Sequence, residues 1–84
     1  PTYQSSLKWT ASKTALVELI YSLRETKAIN NGTIEIKELA QSMEIFFNIQ
    51  LGEPYRKFND IKTKRKNQAS FLEQLENAFR RLLD

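Results

Sequence analysis

The side chains with the clearest chemical potential in this sequence are the cations between residues 53 and 67. This segment has six basic residues against two acidic ones, a net charge of +4, whereas the rest of the chain sums to −1 and the whole chain to +3. Clustered lysine and arginine side chains attract phosphate groups. The position of the charge therefore indicates an anionic partner more clearly than its modest total does. The six are Arg56, Lys57, Lys62, Lys64, Arg65 and Lys66.

The residue types that most enzymes use are missing. The chain has no cysteine and no histidine, which excludes zinc fingers, thiol chemistry and imidazole catalysis. Two carboxylate pairs, Glu35 with Glu38 and Glu73 with Glu76, fall in the first turns of predicted helices, where acidic residues favour the helix dipole. We therefore expect no enzyme activity, no catalytic residue, no metal site and no cofactor or small-molecule ligand.

Apolar spacing predicts four helices after a polar lead-in over residues 1–9. The helices are expected at about 12–27, 36–48, 54–66 and from residue 70 onwards, within one domain over 10–84. No apolar run is long enough to span a bilayer. The fold class is therefore mainly α, without a membrane segment.

Local signals predict how these helices begin and what connects them. Thr10 or Ser12 is a candidate N-cap for the first helix. The sequence Asn30-Asn31-Gly32 predicts a turn after that helix. Residues 33–36 fit either a short strand stub or a helix cap. Pro54 suits the first position of the third helix. Ser70 and Glu73 have the spacing of a capping box for the fourth.

The aromatic residues are expected to be mostly internal. Phe46, Phe47, Phe71 and Phe79 recur at helical spacing, which favours a core role over a partner-binding patch. Trp9 lies outside any predicted helix, and we expect it to dock onto the helical body.

The third helix has two contrasting sides. Tyr55, Phe58 and Ile61 are expected to point into the core, while the opposite side is polar and basic. A short connection to the second helix makes the pair resemble a helix-turn-helix, with the third helix in the major groove of double-stranded DNA. The predicted base-facing residues are Arg56, Asn59, Thr63 and Asn67. The predicted phosphate-binding residues are Lys57, Lys62, Lys64, Arg65 and Lys66.

A second interpretation of the basic helix is a protein-interaction domain that binds an acidic partner. Exposed helix faces are often rich in lysine, and Asp60 in the middle of the outward side argues against simple phosphate binding. Asp60 could instead accept a hydrogen bond from a cytosine amino group or pair with Lys64 one turn later.

An extended pattern links this sequence to a known family. The stretch WTASKTALVELIY at 9–21, the turn at 29–32 leading into IKELA at 36–40, the residues FNI and LG within 47–52, and the basic run from 55 to 72 occur in this order. Together they resemble the C-terminal domain of the RteC family of conjugative-transposon regulatory proteins.

The resemblance implies a fold and a function. It implies a cytoplasmic, winged-helix-like DNA-binding domain, taken from a longer protein, that activates transcription of excision and transfer genes of a mobile element. Only residues 66–69 separate the third and fourth predicted helices, so we expect the wing to be vestigial or absent. A DNA-binding domain of this size usually needs further contacts to bind DNA tightly. A homodimer partner or the N-terminal domain could supply them.

Overall fold

The computed structural model describes residues 4–64 and 69–84, and the secondary structure within them is entirely helical. The helices are α1 (Lys13–Glu25), α2 (Ile36–Phe47), α3 (Pro54–Thr63) and α4 (Ser70–Leu83), with a 3₁₀ turn at Asn30–Gly32. The described ranges contain no strand. The prediction of a mainly α fold of four helices is confirmed, with α3 ending earlier than expected.

Helix α1 is the central element. It packs against α2, α3 and α4, and its buried residues are Ala15, Leu16, Val17 and Ile20. The side chain of Ser12 accepts a hydrogen bond from the Ala15 backbone N–H at 3.0 Å, which satisfies one of the unpaired amides of the first turn. Ser12, rather than Thr10, is therefore the N-cap.

The connection from α1 to α2 follows the turn signal. Asn30, Asn31 and Gly32 all have positive φ angles, and a Cβ at Gly32 would lie 2.9 Å from Cγ of Lys27. The backbone here needs residues that tolerate the left-handed region. Residues 33–36 form neither a strand stub nor a threonine cap, because the Thr33 hydroxyl donates back to the Asn30 carbonyl at 2.6 Å.

The buried core joins three helices and two connecting segments. Ile34 and Leu51 enter it from the segments before and after α2, and Ile61 enters it from α3. The remaining apolar members come from α1 and α2, so these two helices supply most of the surface on which α3 rests. The cluster consists of Leu16, Val17, Ile20, Ile34, Ile36, Leu39, Ala40, Leu51 and Ile61.

The segment before α1 docks as predicted. The Trp9 ring centroid lies 5.2 Å from that of Phe47 and 5.6 Å from that of Phe71, so the indole bridges α2 and α4. The Asn48 side chain donates to the carbonyls of Ser5 and Leu7, each at 2.7 Å. These bonds hold the lead-in against the C-terminal end of α2.

The predicted capping box of α4 is wrong. Ser70 is the first helical residue rather than the N-cap, and Ala69, the residue before it, makes no side-chain cap bond. The Glu18 carboxylate of α1 instead accepts from the backbone N–H groups of Phe71 and Leu72 at 2.9 and 3.0 Å. A neighbouring helix therefore supplies the acceptor that the local sequence was expected to provide.

The expectation that the aromatic residues are internal holds only in part. Phe47 and Phe71 are partly buried, but Phe46 and Phe79 are exposed. Helix α4 has no fully buried residue although one of its sides is strongly apolar. Helical spacing identified the apolar side of α4 correctly, but it did not indicate whether another element covers that side.

Candidate nucleic-acid interface

Helix α3 begins at a well-defined cap. The Glu53 carboxylate accepts from the Tyr55 backbone N–H at 3.2 Å, and Pro54 occupies the first helical position as predicted. Proline costs no hydrogen bond there because the first amides of a helix have no partner within it. The beginning of α3 is therefore determined by local sequence.

Six residues, 48–53, connect α2 to α3. Asn48 ends α2 in the left-handed conformation. Within the connection, the Leu51 N–H donates to the Glu44 carboxylate at 2.6 Å, and the Leu51 side chain is fully buried. The connection is thus anchored at its centre, which fixes where α3 starts relative to α2.

The inward side of α3 is narrower than predicted. Ile61 is buried, and the Phe58 ring stacks on Tyr21 of α1 with centroids 4.1 Å apart and planes 11° from parallel. Tyr55, however, is 51% exposed. Its predicted core position is therefore wrong, because about half of this residue remains in contact with solvent.

Three of the four predicted base-facing residues are exposed together. Arg56, Asn59 and Thr63 are all exposed, and their spacing of three and four residues puts them on one side of the helix. The Thr63 hydroxyl donates to the Asp60 carbonyl at 3.0 Å. This surface, Arg56–Asn59–Thr63, is called the outward face of α3 below.

The predicted phosphate-binding lysines occupy three different environments. Lys57 is half-buried. The Lys62 ammonium lies 5.9 Å from the centroid of the Phe58 ring, within the range of a cation–π contact. Lys64 is exposed but lies just past the end of the helix.

Helix α3 ends at Thr63, three residues earlier than predicted. Lys64 has an extended backbone, φ −68° and ψ 143°, so its expected position on the helix wheel does not apply. No large apolar residue occurs between Ile61 and Phe71, and a helix this short depends on packing for its stability. Within 4–64 and 69–84, Asp60 and Lys64 form no ion pair with each other.

The remaining predicted site residues, Arg65, Lys66 and Asn67, lie outside the described residues.

The structure adds residues that the sequence analysis did not place near α3. One surface groove of about 450 Å³ beside α3 is lined by Tyr21, Arg24, Tyr55 and Asn59, among others. A second groove of about 340 Å³ is lined by Lys37 and again by Tyr55. Two cations from α1 and α2 therefore flank the first turns of α3, although they are far from it in sequence. The carboxylates of Glu35 and Glu44 line the same grooves.

Arg24 and Tyr21 differ in how their polar groups are satisfied. The Arg24 guanidinium donates to the Ile34 carbonyl at 2.6 Å, which holds it beside the groove. The buried Tyr21 hydroxyl has no hydrogen-bond partner among the described residues. Burial raises the pKa of Tyr21, and the neighbouring Tyr55 and Glu53 raise it further. Tyr21 is therefore neutral at physiological pH.

The described part of the chain was compared with the requirements of a metal site and of a membrane-spanning helix. It contains no group of three or more acidic, cysteine or histidine residues placed to hold a metal ion. None of its helices combines the length and the apolar character needed to cross a membrane.

Comparison with known proteins gives one result. The family model described as "RteC protein" matches residues 1–84, the whole chain. The chain belongs to the RteC family. No curated protein and no solved structure gives a significant match to this RteC chain. The resemblance inferred from the sequence is thereby confirmed at the level of the family.

Proposed function

We propose that this RteC chain is a sequence-specific DNA-binding unit of a transcriptional regulator, with α3 inserted in the major groove of double-stranded DNA. The observation that carries the proposal is the outward face of α3. It presents Arg56, Asn59 and Thr63 to solvent, while Phe58 and Ile61 hold the opposite side on the core. The polar side is thus available without unfolding any packed surface.

The residues of the outward face match the chemistry of base edges. Arginine pairs with the O6 and N7 atoms of guanine, and asparagine with N6 and N7 of adenine. The Thr63 methyl group can contact a thymine methyl group. Helix α3 has 10 residues, a length of about 15 Å, which spans a major groove about 12 Å wide.

The cations around this face are suited to phosphate contacts. Lys62 and Lys64 lie at the C-terminal end of α3, and Arg24 and Lys37 lie on the other side of its first turns. Phosphate contacts fix the register of a protein on DNA without reading its sequence. Cations at both ends of α3 would therefore hold the helix along the groove.

The arrangement of α1, α2 and α3 supports the helix-turn-helix proposal, with one departure. Helix α1 packs behind both other helices, and α3 follows α2 directly in the chain. The connection of six residues, 48–53, is longer than the usual turn of three or four residues. Its anchoring by Glu44 and Leu51 would keep the longer turn rigid.

The biological role proposed here follows from the family resemblance. Such a unit would act in the cytoplasm by binding upstream of promoters, and it would activate excision and transfer genes of a mobile element.

Fluorescence anisotropy with labelled duplex DNA tests the proposal. If about five phosphates are neutralised, log K falls against log[salt] with a slope of about −4 to −5. Selection of bound duplexes from a random pool should then enrich one sequence. An absence of duplex binding at about 50 mM salt, together with binding to an acidic polypeptide, would instead favour the protein-interaction alternative.

A further inference from the structure

From Leu75 to its C-terminal end, α4 carries a concentration of exposed apolar side chains. Leu75, Phe79, Leu82 and Leu83 are all exposed, Phe79 at 62% and Leu82 at 80%. Single exposed apolar residues are common, but a contiguous group of large ones marks an interaction surface. These four residues are called the α4 apolar patch.

The patch is the continuation of the side that docks α4 onto the body. Phe71 and Leu72 in the first turn are partly buried, and so is Ala78. A rotation of about 100° per residue places Leu75, Phe79 and Leu82 on the same apolar side. Helix α4 thus has one apolar side that is covered near its N-terminus and open towards its C-terminus.

We propose that the α4 apolar patch binds the same patch of a second copy of this chain, with the two α4 helices antiparallel. Leu75, Phe79 and Leu82 are separated by four and three residues, the spacing of a two-helix seam. In an antiparallel pair centred near Phe79, Leu75 of one copy lies opposite Leu82 of the other. The two Phe79 side chains then meet close to the two-fold axis.

The charged residues beside the patch support a second copy of the chain as its partner. They also support the antiparallel orientation of the two α4 helices. Glu76 and Arg80 lie along one border of the apolar side, with the acid towards the N-terminus, and they already form an ion pair at 2.6 Å within the helix. In the antiparallel pair each Glu76 lies opposite Arg80 of the other copy. In a parallel pair the border that carries Glu76 and Arg80 would lie on opposite sides of the seam in the two copies, so the two borders would not meet. The border is therefore self-complementary, as a two-fold interface requires.

Self-association is measured on the 84-residue chain without DNA. A negative result would therefore count against the dimer and not against the proposed DNA binding. Sedimentation equilibrium should show the mass rising from 9.8 kDa towards twice that value as the concentration increases to about 1 mM. Phe79→Glu should remain at the monomer mass. A wild-type chain that stays monomeric over the whole range overturns the proposal and leaves the patch to another partner.

The matched control is Ile45→Glu. Ile45 on α2 is 62% exposed, the same fraction as Phe79, so both substitutions place a charge at an equally open apolar position. Circular dichroism should show both variants folded. Ile45→Glu should dimerise like the parent, and equal loss of dimer in both variants would overturn the assignment to α4.

The orientation is tested by disulfide trapping, which the cysteine-free sequence makes specific. An oxidised mixture of Leu75→Cys and Leu82→Cys should give a cross-linked dimer, whereas neither variant alone should do so. Cross-linking of Leu75→Cys with itself would indicate a parallel pair and overturn the antiparallel arrangement.

The charge pairing is tested by mixing two variants. Glu76→Arg alone and Arg80→Glu alone each place like charges opposite one another, and both should dimerise more weakly than the parent. Their mixture places two arginines of one copy opposite two glutamates of the other, and it should recover dimerisation. If both variants dimerise as well as the parent, the proposed pairing of Glu76 with Arg80 is overturned.

Discussion

Glu18 on α1 caps α4 through the backbone N–H of Leu72, at 3.0 Å and across 54 positions of sequence. The same carboxylate also accepts from the N–H of Phe71. Two amides that α4 cannot satisfy within itself are thus bonded to the central helix. The bond couples the position of α4 to that of α1, on which α3 also packs.

Replacing Glu18 should therefore destabilise the fold. Glu18→Ala is expected to lower the free energy of unfolding by about 1–2 kcal/mol, the usual cost of losing a helix cap. Urea denaturation followed by circular dichroism measures the change. Glu25→Ala, at an exposed position in the same helix, should cost less than about 0.5 kcal/mol. Equal losses in the two variants would show that the cap contributes nothing specific.

Removing the Tyr21 hydroxyl should not lower the free energy of unfolding, in contrast to the loss expected for Glu18→Ala. Its buried hydroxyl has no partner among the described residues, and burying an unsatisfied polar group costs about 1–3 kcal/mol. Tyr21→Phe keeps the ring stacked on Phe58 and removes the hydroxyl, so the free energy of unfolding should stay level or rise. Phe58→Leu, which removes the stacking partner, should lower it by about 1 kcal/mol. A marked loss in Tyr21→Phe would reveal a hydrogen bond to that hydroxyl.

The raised pKa of Tyr21 predicts a dependence of stability on alkaline pH. Because burial raises this pKa in the folded state, the folded protein retains the proton more strongly than the unfolded chain does. The resulting stability is present below the unfolded pKa, about 10, and is lost as pH rises through the folded pKa. Urea titrations between pH 8 and about 11 should show a steeper loss in the parent than in Tyr21→Phe. Parallel curves would contradict the assignment to Tyr21.

Two substitutions at the proposed DNA interface should have different effects. Arg56→Ala removes a base-reading group and should relax sequence preference at one position, by about 1–3 kcal/mol. Lys64→Ala removes a phosphate contact, so it should weaken binding to all sequences about equally and reduce the salt slope by about 1. Anisotropy titrations against the selected duplex and scrambled duplexes separate the two effects. Lys8→Ala, an exposed lysine before α1, is the charge-matched control and should bind like the parent.

A cation outside α3 provides an independent test of the same interface. Lys37 is exposed and lines the groove that it shares with Tyr55. Lys37→Gln should reduce the salt slope by about 1 without changing sequence preference. Unchanged salt dependence would place the DNA away from this side of α3. Circular dichroism should confirm that the exposed substitution leaves the helices intact.

Much of the local structure could be predicted from short stretches of sequence. The Ser12 cap, Pro54 at the start of α3 and the left-handed turn around Gly32 each depend on residues within a few positions of one another. The outward face of α3 was also predictable, because the rotation per residue puts Arg56 and Asn59 on the same side. In each of these cases the determining interaction is short-range.

Other features depend on which element lies next to which. The periodicity of α3 put Tyr55 in the core, yet this residue is 51% exposed. Helical periodicity gives the direction of a side chain, but it does not show how far the neighbouring elements extend over that side chain. The basic segment also could not indicate that Arg24 and Lys37 flank the start of α3.

The sequence by itself determined four helices, the position of most of their ends and a concentration of positive charge between residues 53 and 67. Tertiary structure alone decided that Glu18 caps α4 and that Phe79 remains exposed. The physical reason is distance along the chain. Helix formation and capping by near neighbours are short-range interactions, whereas burial and capping by another helix depend on residues that only folding brings together.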